Sequence, residues 1–298
     1  MDRLQQLRVF SRVVERGSLS RAAQDLETTQ PTVSKVLAEL ERSLKTQLLM
    51  RSTRKLTVTD AGRKFYARCR TMLETWDEAS TELGEFAGPR GVLKVHGPVV
   101  LGELYVGPIA VEFQRKHPGV RFELTFLDGF VDLVAEGADL ALRLGTITDP
   151  SVVRRKLGTM RRLLTASPDY LAERGHPKKP QDLAGHDWVR FSGIAGGDSQ
   201  QVGKEVVRFT PTFLANNAVV LKDALLKGLG VGLVTEWLVA KELKAGKLIE
   251  VLPKHPVTSL DVSVVFPSPR FVPERVRLFV DALERGLAKA PGMVGISG

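Results

Sequence analysis

The sequence predicts an α/β protein in three parts: a small helical module with a short β hairpin over residues 1–59, a linker helix over 60–88, and an α/β domain of two units over 89–298. Three observations carry this. Apolar residues recur at helical spacing three times before Lys45 and then give way to two short extended runs around a basic tip. A row of apolar residues spaced alternately by four and three runs from Phe65 to Phe86. From Gly91 onward, extended runs alternate with amphipathic helices, the signature of an α/β domain with a largely parallel sheet.

Leu4, Leu7, Phe10 and Val14 place one apolar stripe on a first helix, which Gly17 ends because glycine adopts positive φ without strain. Ser18 is suited to cap a second helix with the stripe Leu19, Ala22, Ala23 and Leu26, whose alanines let a neighbouring helix approach closely. After a turn at Glu27 and Thr28, Thr29 caps a third helix. Pro31 falls in its first turn, where a missing N–H costs nothing, and Val33, Val36, Leu37, Leu40 and Leu44 form its inner face. The outer face carries Gln30, Thr32, Ser34, Lys35 and Ala38, with Ser18, Ser20, Thr29 and Pro31 at its margin. Short or amide-bearing groups near a helix N-terminus are suited to base edges and phosphates. A merely solvated face would carry Glu/Lys pairs throughout, whereas charges of both signs begin only at Glu39, Glu41 and Arg42.

Leu48 to Thr59 reads as two strands around a basic tip. This makes the module a winged helix-turn-helix. Arg51, Arg54 and Lys55 in the wing would meet phosphates or a minor groove, and Ser52 and Thr53 would add hydroxyl contacts; the alternative is an ordinary basic hairpin. Charge distribution agrees with a polyanionic partner. Residues 1–64 hold 13 Lys+Arg against 7 Asp+Glu, a net +6; residues 65–88 are net −3, and residues 89–298 spread a net +6 over a chain about three times as long. Charge alone is equally compatible with a basic surface that binds nothing.

The module resembles the N-terminal signature of the LysR-type transcription regulators. The match runs through Phe10, Val14, Gly17-Ser18-Leu19, Ala22-Ala23, Leu26, Gln30-Pro31, Val33-Ser34, Leu40-Glu41, Leu44, Leu48-Leu49, Arg51, Arg54, Leu56-Thr57, Thr59 and Ala61-Gly62. The resemblance implies that Gln30, Pro31, Thr32, Ser34 and Lys35 approach double-stranded DNA and that Arg51 and Arg54 lie along its backbone. Lys45 departs from it, standing where the family usually ends the recognition helix with glycine, which implies a slightly different helix end.

Thr59 is suited to cap the linker helix, whose apolar row is Phe65, Cys69, Met72, Trp76, Ala79, Leu83 and Phe86. Such a row needs a partner. Either a second copy supplies it as a coiled coil, or the helix packs against its own module. Cys69 lies on this row, and as the single cysteine it excludes an intrachain disulfide and has no resolving partner for redox sensing. Gly84, Gly88, Pro89 and Gly91 then mark a boundary and a hinge.

In the C-terminal part, strands are expected at 92–95, 120–126, 140–142, 188–191, 231–234 and 262–266. Helices are expected near 104–115, 131–136, 217–227 and 273–288. His117-Pro118, Glu136-Gly137, Asp139 to Gly145, Ala166 to Leu171, Asp182-Leu183, Ala215-Asn216, Gly228 to Gly232 and Gly246 to Leu248 resemble, in order, the effector domain of the same family. That implies a periplasmic-binding-protein-like fold of type 2, with lobe I over about 91–163 and 262–298 and lobe II over about 164–261.

A small-molecule effector would then sit between the lobes. Candidate contacts are Val99, Val100, Leu101, Gly102, Asp128, Arg143, Thr146, Phe191, Ser192, Asn216, Asn217 and Thr235, with free amides near Leu101 able to hold a carboxylate. For each a structural role stands beside the binding one: Arg143 would pair with an acid and Asn216 would cap its helix. Relatives often carry serine or threonine where this chain has Val100, which implies a more apolar effector or another pose.

No nucleophile with its base, paired acids or phosphate cradle is found. The run Gly228-Leu229-Gly230-Val231-Gly232 lacks both the dinucleotide spacing and a preceding strand, so no enzyme activity is expected. The histidines at 96, 117, 176, 186 and 255 show no ligand-like pairing, and no metal or cofactor is expected. No apolar run is long enough to span a membrane, and Asp2, Arg3 and Arg8 stand where a secretory signal needs an apolar core, so a cytoplasmic location is expected. The resemblance further implies a homodimer, paired again into a homotetramer, and contact with RNA polymerase. Two other readings are a free-standing solute receptor, which leaves the basic module without purpose, and a non-specific architectural DNA binder, which leaves the cleft idle.

Overall fold

The computed structural model describes residues 2–51, 56–82, 88–128, 138–147, 152–192, 198–266 and 272–295. Helices α1 (Arg3–Arg16), α2 (Leu19–Asp25) and α3 (Gln30–Leu44) are followed by an antiparallel ribbon of β1 (Leu49–Arg51) and β2 (Leu56–Val58), and by the long helix α4 (Asp60–Glu82). Leu7, Phe10, Val13, Ala22, Ala23, Val33, Val36, Leu37 and Leu40 close one core with Leu48 and Leu49. The capping residues act as the sequence predicts. Gly17 has φ 58, Ser18 accepts from the Arg21 N–H, and Thr29 accepts from the Thr32 N–H.

Two expectations change here. Leu44 stands 38% exposed because it lies at the last turn of α3, past the edge of this core. Lys45 adopts the left-handed conformation, φ 50 and ψ 34, so α3 ends as glycine would end it and the strain falls on lysine instead of altering the geometry.

The C-terminal part begins with β3 (Gly91–Gly97) and a continuous helical stretch of α5 (Val99–Leu101), a π-turn (Gly102–Val106) and α6 (Gly107–Lys116). Strands β4 (Val120–Phe126), β5 (Leu140–Leu144) and β6 (Val153–Met160) follow; the helix expected at 131–136 lies outside the described residues. The chain next forms β7 (Arg162–Ala166), α7 (Pro168–Arg174), β8 (Trp188–Phe191), the hairpin β9 (Ser199–Val202) and β10 (Glu205–Arg208), β11 (Pro211–Ala215), α8 (Ala218–Leu226), β12 (Val231–Thr235), α9 (Glu236–Lys244) and β13 (Ile249–Val251). It closes with β14 (Leu260–Phe266), α10 (Glu274–Leu287) and β15 (Met293–Val294).

Two sheets result. The first has the order β15-β6-β14-β5-β3-β4 and the second β11-β8-β12-β7-β13. The chain passes from the first to the second at Arg161 and returns between β13 and β14. Each sheet is mixed rather than largely parallel: β3 runs parallel to β4 and β5, but β14 is antiparallel to β5 and β6, and β7 is antiparallel to β12. The reversals fall at the two crossings, where a strand enters its sheet from the other sheet instead of through a helix. Arg161 is held at its crossing by Glu236 (3.0 Å) and Glu250 (2.6 Å).

Candidate nucleic-acid interface and effector cleft

On α3, Gln30, Pro31, Lys35 and Ala38 are exposed and Thr32 and Ser34 are half-buried, so the face opposite the core is open from the first turn onward. Its groups are ordered by neighbours. Ser20 of α2 donates to the Gln30 side-chain oxygen at 3.2 Å, and the hydroxyls of Thr29 and Thr32 lie 2.8 Å apart. A carboxamide fixed in this way loses less freedom on meeting a base edge.

The wing is positioned by residues that the sequence reading passed over. Glu41 at the end of α3 accepts from the amides of Leu48 (2.8 Å) and Leu49 (3.0 Å), and Thr59 donates to the Gln47 carbonyl while capping α4 at Gly62. Gly62 has no room for a side chain: a Cβ there would lie 2.1 Å from the Leu48 carbonyl oxygen. Ser52, Thr53, Arg54 and Lys55 lie outside the described residues, as does the side chain of Arg51.

The linker row divides. Cys69 is fully buried in the module's own core, and half-buried Phe65 packs on Phe10 with ring centroids 5.5 Å apart, so this part of the row meets the module itself. Stripe geometry alone could not separate the two roles, because the same face of α4 first meets α1 and then runs past it. Met72 (47% exposed) and Trp76 (52%) lie beyond that contact. Leu83 and Phe86 lie outside the described residues, and so does the side chain of Ala79.

In the effector domain, Val99, Asp128, Thr146, Phe191, Ser192 and Thr235 all stand at strand ends or just after them. At the start of α5 the Val99 N–H donates to Asp128 Oδ1 at 3.0 Å, and Asp128 Oδ2 is buried without a donor among the described residues. For Leu101 and Gly102 the packing favours the structural role that stood beside the binding one. Leu101 is buried in the main core, and Gly102 lies under the Phe126 ring, 2.3 Å from where a Cβ would stand. Val100 is buried with them.

Asn217, and not Asn216, caps α8, accepting from the amides of Val219 (2.9 Å) and Val220 (3.1 Å); Asn216 is exposed. Arg143 is half-buried, and desolvation lowers its pKa.

Two arginines that sequence reasoning missed stand at the same end of the second sheet. Arg162 opens β7 opposite Thr235, and Arg190 lies in β8 beyond Val189, which pairs with Gly232. A charged residue inside Trp188-Val189-Arg190-Phe191, an otherwise apolar strand, was the available signal.

Family comparison agrees over nearly the whole chain. Residues 4–63 match the bacterial regulatory helix-turn-helix protein, lysR family, and residues 86–288 match the LysR substrate binding domain. The chain belongs to the LysR family of DNA-binding transcriptional regulators with an effector-binding domain, and it is a regulator rather than an enzyme. It is 32% identical to the regulator CrgA of Neisseria meningitidis over 94% of this chain and 95% of that protein. To the activator AaeR of Escherichia coli it is 30% identical over 95% and 93%. The structure of CrgA covers 95% of this chain and 98% of its own with a TM-score of 0.62, and full-length OxyR of Pseudomonas aeruginosa, at 15% identity and a TM-score of 0.71, shares the fold. No helix among the described residues is long and apolar enough to cross a membrane.

Proposed function

We propose that this regulator reads a specific DNA site with the outer face of α3, using Gln30, Thr32, Ser34 and Lys35, while the wing grips the backbone. The observation that carries this is the Ser20–Gln30 hydrogen bond, which presents an oriented carboxamide on an exposed helix face in a net-positive module. The protein works in the cytoplasm as a homodimer whose α4 helices meet through Met72 and Trp76 and their continuation at Ala79, Leu83 and Phe86. Exposed Val111 on α6 and exposed Val219 and Val220 on α8 support a second self-contact that builds a tetramer. An effector between the sheets, near Val99, Asp128, Thr146, Ser192 and Thr235, shifts the relative stability of two assembly states and so the DNA geometry.

The test is competition binding to genomic fragments. The wild-type protein should prefer its own site by about 10³-fold or more. Gln30→Ala should lose that preference, whereas Arg54→Ala should weaken binding to all sequences alike. The reverse pattern overturns the assignment.

A further inference from the structure

A cavity of about 280 Å³ opens at the outer edge of the second sheet, between β13 and the chain that follows α7. β13 is the last strand of that sheet, and none of the residues around the cavity is among the candidate effector contacts. Leu171 and Ile249 contribute apolar surface. The polar part is made by His176, Lys178, Lys254 and His255, with Glu250 as the one acid among the described residues that line it.

Glu250 is already engaged, because its carboxylate accepts from Arg161 at 2.6 Å. Two ammonium groups and two imidazoles therefore stand around one small space with no uncommitted carboxylate between them. Among the described residues, none of these four side chains forms a hydrogen bond or an ion pair.

Both walls are held by bonds that leave the four side chains unspent. On one side Asp182 accepts from the amides of Lys178 (2.9 Å) and Lys179 (3.1 Å). On the other, Leu252 takes the left-handed conformation with φ 53, the His255 amide donates to the Leu252 carbonyl at 2.9 Å, and the Gly203 amide donates to the Pro256 carbonyl at 2.8 Å. A non-glycine residue persists in that conformation only where its surroundings impose it, so the turn that carries Lys254 and His255 is fixed in advance. A site formed before its ligand arrives spends less on ordering.

The donor set selects among anions. A planar carboxylate is matched best by the fork of an arginine, and no arginine is among the described residues that line the cavity. Lysine ammonium groups act as point charges suited to the several oxygens of a phosphate, and imidazole N–H groups add single donors. The volume stands near the lower end of the roughly 300–1,000 Å³ of ordinary ligand pockets, which suits a small molecule.

We propose that this cavity is a second ligand site on the second lobe, apart from the effector cleft, and that it takes a small molecule carrying a phosphate group. Lys178 and Lys254 supply the charge, His176 and His255 donate beside them, and the carbon part of the ligand lies against Leu171 and Ile249.

The experiment is calorimetric titration of the full-length protein, at fixed ionic strength and without DNA, with glycerol 3-phosphate, inorganic phosphate and, as the uncharged control, glycerol. Both phosphates should bind and glycerol should not. Tighter binding of the ester supports a phosphorylated metabolite as the source, and tighter binding of inorganic phosphate supports the free ion. The double variant Lys178→Gln with Lys254→Gln changes two exposed side chains, so its ligand-free melting temperature should match the wild type while phosphate binding weakens about tenfold or more.

The DNA-reading module also attracts phosphate, so Lys35→Gln on α3 is titrated in parallel and should bind glycerol 3-phosphate as the wild type does. Absence of binding by either phosphate overturns the proposal, as does binding that survives in the double variant or is lost in Lys35→Gln instead. Equal binding of glycerol would show that charge does not select the ligand and overturns the phosphate assignment.

Discussion

Arg70 on α4 and Asp139 at the head of β5 form an ion pair in which the Asp139 side chain is 5% exposed and that of Arg70 is 19% exposed. The other Asp139 oxygen accepts from the Lys94 amide at 2.8 Å, and the Asp139 N–H donates to the Lys94 carbonyl. One turn earlier on α4, Tyr66 donates to Glu15 of α1 at 3.2 Å. The linker helix is thus fastened on one side to the DNA-reading module and on the other to the first sheet of the effector domain.

Arg70→Met should leave the Asp139 carboxylate buried without its cation, a change that costs about 3–5 kcal/mol at such sites. Arg70→Met with Asp139→Asn should recover much of that loss, because the stranded charge is then gone. Urea unfolding of the two single variants and the double variant measures the coupling; additive effects would show that the pair does not hold these parts together.

Lys45 holds φ 50 at the end of α3 with its side chain exposed. A non-glycine residue in this region costs about 1 kcal/mol. Lys45→Gly should therefore stabilise the N-terminal module by roughly that amount in chemical denaturation, without changing site preference in DNA binding. An unchanged or lowered stability would place the strain elsewhere.

Cys69 is enclosed by the module's core, and burial pushes its thiol up to about 12. The reactive species is the thiolate, so the folded protein should titrate no thiol with a disulfide reagent at neutral pH, and one thiol after denaturation. Prompt labelling of the native protein would contradict this burial.

What the sequence made legible was whatever short-range chemistry decides. Gly17, Ser18, Thr29 and Thr59 mark helix ends because capping depends on residues three apart, and the inner face of α3 follows from period alone. The split of the α4 row was hidden, since nothing in the spacing of Phe65, Cys69, Met72 and Trp76 records where α1 stops covering it. Asp128 filling the helix start at Val99 was equally hidden, because it joins residues 29 apart in sequence. Arg162 and Arg190 reach the same end of the second sheet only through the pairing of β7, β12 and β8, where one strand runs against the other two.

His186 should make the second lobe less stable in mild acid. Its Nδ1 lies 3.1 Å from the Tyr170 hydroxyl, and that hydroxyl also accepts from the Asp187 amide at 2.8 Å. Burial lowers the His186 pKa below its ordinary 6.5; the charge of Arg174 lowers it further, while Asp187 and Asp182 oppose the shift. The folded state thus binds a proton less readily than the unfolded chain. Stability from this group is present above about pH 6.5 and declines as pH falls below it, until the folded imidazole is itself protonated. His186→Gln removes the titration, so between pH 7.5 and 5.5 the melting temperature of the wild type should fall further than that of the variant. An equal fall in both proteins, or a smaller one in the wild type, would mean that His186 does not carry this dependence.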